Sequence, residues 1–181
     1  MVPTPAATLG VKGHRPTAGT RDNKDLLSVF AVANLVTAAV HANTLEGRKN
    51  AKAKTGLSKA RRMQAAFASH LRHVGRMDPR ETHTRVVILI DHAPWHRGKV
   101  IDAAVSDHPR LEFKRLPSDS PQLNPIERFW KKLRRRATHN RLFDTLADLK
   151  TSLRASLSYF QTVRQKVKSI IAGRPKRKIT K

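Results

Sequence analysis

VVILIDHAPWH, residues 86–96, sets five aliphatic side chains in an unbroken row and follows them with a carboxylate, Asp91. Five residues are too few for a helix and show no alternation, so Val86 to Ile90 reads as a β-strand buried on both faces. A charge placed directly after such a strand is costly unless something pairs with it or is coordinated by it. An Asx turn closing the strand is one account of Asp91, and a metal-ligating carboxylate is the other.

Working outward, His92 to Gly98 is a loop through Pro94, Lys99 to Val105 a short helix stopping before Pro109, and Leu111 to Leu116 a second strand, which makes a β-α-β unit. Asn124-Pro125-Ile126-Glu127 then supplies an N-cap, a proline at the first helical position and a carboxylate two residues later. The helix so opened carries an apolar stripe of Ile126, Phe129, Trp130, Leu133 and Ala137. Its other face holds Arg128, Lys131, Lys132, Arg134, Arg135 and Arg136 with no acid among them. Six such cations point to phosphate contact rather than to an ordinary solvated surface. Glu127 itself has a plain reading as the capping-box partner of Asn124.

Upstream, Pro3, Pro5, Gly10, Gly13, Pro16 and Gly19 make the first twenty residues an irregular opening segment. Leu26 onward reads as two strands with a turn near Asn34 to Ala38, a hairpin. Residues 47–56 (GRKNAKAKTG) form a basic linker. Ser58 caps a helix with Met63, Phe67, Leu71 and Val74 on its apolar face, ended by Gly75 and Pro79. That helix carries a second set of candidate phosphate contacts, Lys59, Arg61, Arg62, Arg72 and Arg76. A last helix begins near Thr145 with Leu146, Leu149, Leu153, Leu157 and Phe160 as its stripe, and the chain closes on a basic tail, RPKRKITK.

The 181 residues hold 37 Lys and Arg against 13 Asp and Glu, a formal charge of +24, and 39% hydrophobic residues. That supports one modest core and makes a polyanion the expected partner: DNA or RNA first, an acidic membrane surface a distant second. The absence of Cys excludes a disulfide framework and thiolate metal sites and fits a reducing, cytoplasmic setting. No segment reads as an export signal or a membrane span.

Two strings now combine: IDHAPWH at 90–96, and LPSDSPQLNPIERFWKKLR at 116–134. Together they closely resemble the catalytic core of mariner-like transposases of bacterial insertion sequences, which are Asp-Asp-Glu endonucleases. The spacing of 35 residues between Asp91 and Glu127 agrees with that resemblance. It implies a ribonuclease-H-like α/β fold, a mixed sheet flanked by helices, with Asp91 and Glu127 as the second and third carboxylates that hold Mg²⁺ or Mn²⁺. In two-metal phosphodiester chemistry, ions roughly 3.5 to 4 Å apart activate a water or 3′-hydroxyl and stabilise the leaving oxygen. The implied partners are DNA, at transposon ends and target, and further copies of the chain in a homo-oligomer; the implied location is the bacterial cytoplasm, on the nucleoid when bound to DNA.

The resemblance also sets out differences. The family usually has Asn after its second Asp, where this chain has His92; His92 and Asn124 are therefore expected beside the carboxylates rather than as ligands. The family's first Asp lies upstream of the stretch resembling VPTPAATLGVKGHRP, so a sheet without its first strand is expected, along with a marginally stable or self-associating chain that does not cut DNA alone. Asp22 and Asp25, in the polar GTRDNKD turn, are poor substitutes. End-recognising helix-turn-helix domains are likewise missing from the sequence. The expected organisation is a partial catalytic domain over 1–140, a helical extension over 141–173 and the tail over 174–181. A DNA-binding relic without cutting activity is the alternative; a ribosomal or chromatin-type protein explains the charge but not the acidic spacing.

Of the remaining residues, His92 and His96 are four apart, but Pro94 between them argues against a metal pair on a helix and for loop pairing or phosphate contact. Trp95 is expected to pack as an apolar prop.

Overall fold

The computed structural model describes residues 25–48, 56–77 and 85–173, which fold as a mixed α/β protein with two small sheets and five helices. The opening segment, Asp22, most of the basic linker, Pro79 and the basic tail lie outside the described residues. The described residues form two compact units, one of 25–32 and 41–124, the other of 33–40 and 125–173.

In the first unit, strands β1 (Asp25–Ala33) and β2 (Val40–Arg48) form a two-stranded sheet. The link between them is too short for a parallel crossover, so the pair is the expected hairpin. Helix α1 (Lys59–Met77) starts where the Ser58 hydroxyl accepts a hydrogen bond from the Arg61 N–H at 3.3 Å. It does not end at Gly75 as expected but runs on to Met77. Gly75 is buried there, and an added Cβ would stand 2.6 Å from the His108 ring, so its glycine serves close packing rather than helix termination.

Strands β3 (Val86–Ile90) and β4 (Leu111–Arg115) are parallel, joined through one 3₁₀ turn at Pro94–His96 and helix α2 (Lys99–Ser106). Phe30 of β1, Phe67, Ala68 and Leu71 of α1, Ile90 of β3, and Ile101 and Ala104 of α2 share one buried cluster, with Ile88, Trp95 and Phe113 packed against it.

The expectation that β3 is buried on both faces is corrected here: Val87 is 50% exposed and Leu89 41%. The register explains it. Val87 pairs with Glu112 and Leu89 with Lys114, and Glu112 and Lys114 are themselves ion-paired at 2.6 Å. An aliphatic string thus hides an ordinary period-two strand whose outer face is shared with charged neighbours.

The second unit holds the hairpin tip with helices α3 (Pro125–Ala137), α4 (Leu146–Thr162) and α5 (Arg164–Ala172). At the tip, Asn34 Oδ1 accepts from the N–H groups of Val36 and Thr37, and the Gln161 amide donates to the Val40 carbonyl. Pro125 opens α3, and Phe129, Leu133 and Ala137 are its buried residues. Phe129 meets Phe160 edge to face at 5.2 Å.

Thr145 and Asp148 close a reciprocal capping box at the start of α4. The stripe expected for α4 is corrected at two places: Leu146 and Leu157 are only half-buried, and Ser156 takes a buried position. The helical run then breaks at Val163, whose backbone leaves the helical region, so the C-terminal part is two helices.

Candidate functional site

Asp91 follows directly on β3, where the sheet delivers the chain to its C-terminal edge. Its Oδ1 accepts a hydrogen bond from the Ala93 N–H at 3.0 Å, an Asx turn. The same oxygen lies 2.8 Å from His96 Nδ1, although not along the ring N–H direction that a well-formed hydrogen bond would take. Its second oxygen makes no hydrogen bond among the described residues, and the side chain is 52% exposed. Asp91 therefore has both a capping role and an oxygen left over.

His96, expected from the sequence to pair within the loop or contact phosphate, pairs within the loop, beside Asp91. Burial holds its imidazole below the usual histidine range, against the opposing pull of Asp91. Its ring sits 4.3 Å from that of Phe67, so the apolar wall of α1 fixes the group that touches Asp91. The signal was present in Pro94, which starts the 3₁₀ turn that folds His96 back on Asp91.

His92 turns elsewhere: its Nε2 is 2.7 Å from the Leu116 carbonyl, tying the loop after β3 to the end of β4. Arg97 donates to the His92 carbonyl and Arg115 to the His96 carbonyl, so guanidinium groups brace this loop at both ends. Trp95 is partly buried against the core, as expected. Asn124 is buried and follows the 3₁₀ turn Pro121–Leu123, with its N–H donating to the Pro121 carbonyl.

Glu127 lies in the first turn of α3, half-buried, and makes no ion pair or hydrogen bond among the described residues. Asp91 and Glu127 belong to different compact units, and each is described in its own surroundings. Among the described residues no group of three His, Asp or Glu side chains is arranged to hold a metal ion. The donors that exist are carboxylate oxygens, the hard ligands a magnesium ion takes one or two at a time beside water and phosphate. Asp91 and Glu127, each in its own unit, are donors of that chemical kind.

Along α3, Lys131, Lys132, Arg134, Arg135 and Arg136 are exposed. Arg128 departs from that row. It is half-buried and its guanidinium donates to the Ile171 carbonyl near the end of α5. On α1, Lys59 and Arg61 are exposed, Arg62 is partly buried with its Nε unpartnered, and Arg72 pairs with Asp107 at 2.7 Å.

The acidic spacing, the β-α-β frame and the basic helices have a counterpart among known proteins. Residues 4–150 match the DDE superfamily endonuclease family, and the chain belongs to it. It is 35% identical over 86 residues to the uncharacterized protein y4pE/y4sA of Sinorhizobium fredii, a match that spans 48% of this chain and 59% of that protein's length. No solved structure matches. Among the described residues no helix is long and apolar enough to cross a membrane.

Proposed function

We propose that the chain is catalytic-domain sequence of a transposase, whose reaction is Mg²⁺-dependent cleavage of DNA at transposon ends and joining of the 3′-hydroxyl to a target. Membership in an endonuclease family carries the reading, and Asp91, anchored through one oxygen with the other unengaged, supports it. Asp91 and Glu127 are the metal-binding carboxylates in this proposal. A bound divalent ion would supply Lewis acidity toward the phosphate and a more acidic attacking hydroxyl. The chain's own part is to orient: Ala93 and His96 hold Asp91, while His92 pins the loop to β4.

Lys131, Lys132, Arg134, Arg135 and Arg136, with Lys59 and Arg61, serve as backbone contacts in the same reading. The working location is the bacterial cytoplasm, on the nucleoid, with self-association between copies. With Asp91 and Glu127 as its carboxylate ligands, a second ion would be held mainly through water and phosphate, and each 1.36 kcal/mol of lost transition-state stabilisation is about tenfold in rate. A polypeptide of these 181 residues is therefore expected not to nick DNA by itself.

The second reading is a DNA-binding relic, supported by the exposed cations of α3, which can hold a phosphate backbone without any metal. The test uses the purified chain beside Asp91→Ala and Glu127→Ala. Mn²⁺ binding that weakens in both variants supports the transposase reading; Mn²⁺ binding untouched by either favours the relic, and failure to bind duplex DNA sinks both. Nicking of supercoiled plasmid that vanishes in both variants would show a complete site after all, and nicking that survives both is contamination or comes from an unrelated site.

A further inference from the structure

Three helices of the second unit converge on Tyr159, the sole tyrosine of the chain. Arg136 of α3 places its guanidinium carbon 3.6 Å from the centre of the Tyr159 ring. Lys166 of α5 donates from Nζ to the Tyr159 hydroxyl at 2.9 Å, and the same ammonium lies 5.3 Å from the ring centre. Two cations therefore share one aromatic ring, and no carboxylate pairs with either among the described residues. We infer that Arg136, Tyr159 and Lys166 form a clamp for a phosphate of the DNA backbone.

The donor inventory argues for it. Cation–π contact leaves the in-plane N–H groups of Arg136 without a hydrogen-bond partner among the described residues. The Tyr159 oxygen already accepts from Lys166, so its own O–H remains to be donated, and Lys166 keeps two further N–H bonds. The cluster thus presents donors from three side chains. A phosphate, whose oxygens only accept, is the complementary ligand, and a fork of guanidinium N–H groups suits it.

Charge argues the same way. A contact meant only to tie three helices together is better made with an acid, whereas two like charges gathered at one ring repel until an anion joins them. Arg136 and Lys166 are exposed and so reachable. Lys132, one turn before Arg136 on the same side of α3, continues the line of charge. The hydrogen bond from Lys166, helped by the charges of Lys166 and Arg136, holds the phenol below its ordinary range against the opposing effect of desolvation.

The inference rests on the reading of the chain as a DNA-acting protein, and its test separates the two. With tyrosine labelled at Cζ, NMR shows one phenol resonance. Adding a short DNA duplex is expected to raise the phenol's apparent pKa in the parent chain and to leave it unmoved in the Arg136→Gln/Lys166→Gln variant. In duplex binding measured against salt, Arg136→Gln and Lys166→Gln are each expected to lower the log–log slope by about one unit, more than Arg154→Gln on α4 does.

A Tyr159 resonance that stays unmoved at saturating duplex overturns the clamp while leaving the transposase reading intact. So does a slope loss equal to that of Arg154→Gln, which would mean diffuse charge. A response to inorganic phosphate without one to duplex overturns the DNA assignment, and failure to bind duplex overturns both readings. Circular dichroism melting checks each variant; if Arg136→Gln does not fold, Lys166→Gln, changed at an exposed site, carries the comparison.

Discussion

His96 Nδ1 stands 2.8 Å from Asp91 Oδ1, five residues away in sequence, with its ring braced on Phe67. If Asp91 binds a metal as proposed, a group that orients it is typically worth 10–100-fold in metal affinity. His96→Ala is therefore expected to weaken Mn²⁺ binding about tenfold while the fold persists, measured by calorimetric titration beside a circular dichroism melt. Equal affinity in parent and variant would reduce His96 to a piece of core beside Phe67.

His70 of α1 is 2% exposed, and neither ring nitrogen has a hydrogen-bond partner among the described residues. Burial, followed by the nearby His73 and His41, pushes its pKa down to about 4. The native state thus keeps His70 neutral while the unfolded chain takes up a proton below about pH 6.5. Its contribution is complete above that value and is lost as the pH falls toward 4, on the order of 3 kcal/mol in all. Urea melts from pH 7 to 4 are expected to show that loss, and His70→Leu to flatten it; parallel curves for the two proteins would contradict the assignment.

At Gly75, alanine would gain about 1 kcal/mol of helix propensity. The added Cβ meets the His108 ring at 2.6 Å, however, and overpacking of this kind costs about 1–3 kcal/mol. Gly75→Ala is expected to lower stability by about 1 kcal/mol, and Gly75→Ala combined with His108→Ala to recover relative to His108→Ala alone. A stabilised single variant would mean that His108 swings aside freely.

Arg128 and its neighbours on α3 are expected to respond differently to substitution. Arg128→Ala removes a donor from the Ile171 carbonyl and opens space beside Gly173. Its effect should fall on stability, by about 1–2 kcal/mol, with little change in the salt dependence of DNA binding. Lys131→Ala and Arg135→Ala should show the reverse, each lowering the log–log slope by about one unit with an unchanged melt. Identical behaviour of all three would erase the distinction between the buried and the exposed cations.

Much of the fold was legible because its signals are local. Ser58, Pro125 and Thr145 mark helix starts through bonds or dihedrals settled within a single turn, and the structure begins α1, α3 and α4 there. The β-α-β frame around Asp91 followed from run length and from Pro94 and Pro109. The Asp91 to Glu127 spacing and the string before Glu127 identified the family without reference to any contact.

What the sequence left open concerns partners far apart in the chain. Which face of VVILI meets solvent depends on the β4 register, which sets Glu112 and Lys114 beside Val87 and Leu89. That Gly75 packs rather than terminates depends on His108, thirty-three residues on. Six cations on α3 look alike in sequence. Only the arrival of α4 and α5 sends Arg128 to a carbonyl, stacks Arg136 on Tyr159 and leaves Lys131, Lys132, Arg134 and Arg135 to solvent. Periodicity and capping are short-range and can be read along the chain, whereas a charge's partner is fixed by which elements pack together, and that is decided in three dimensions.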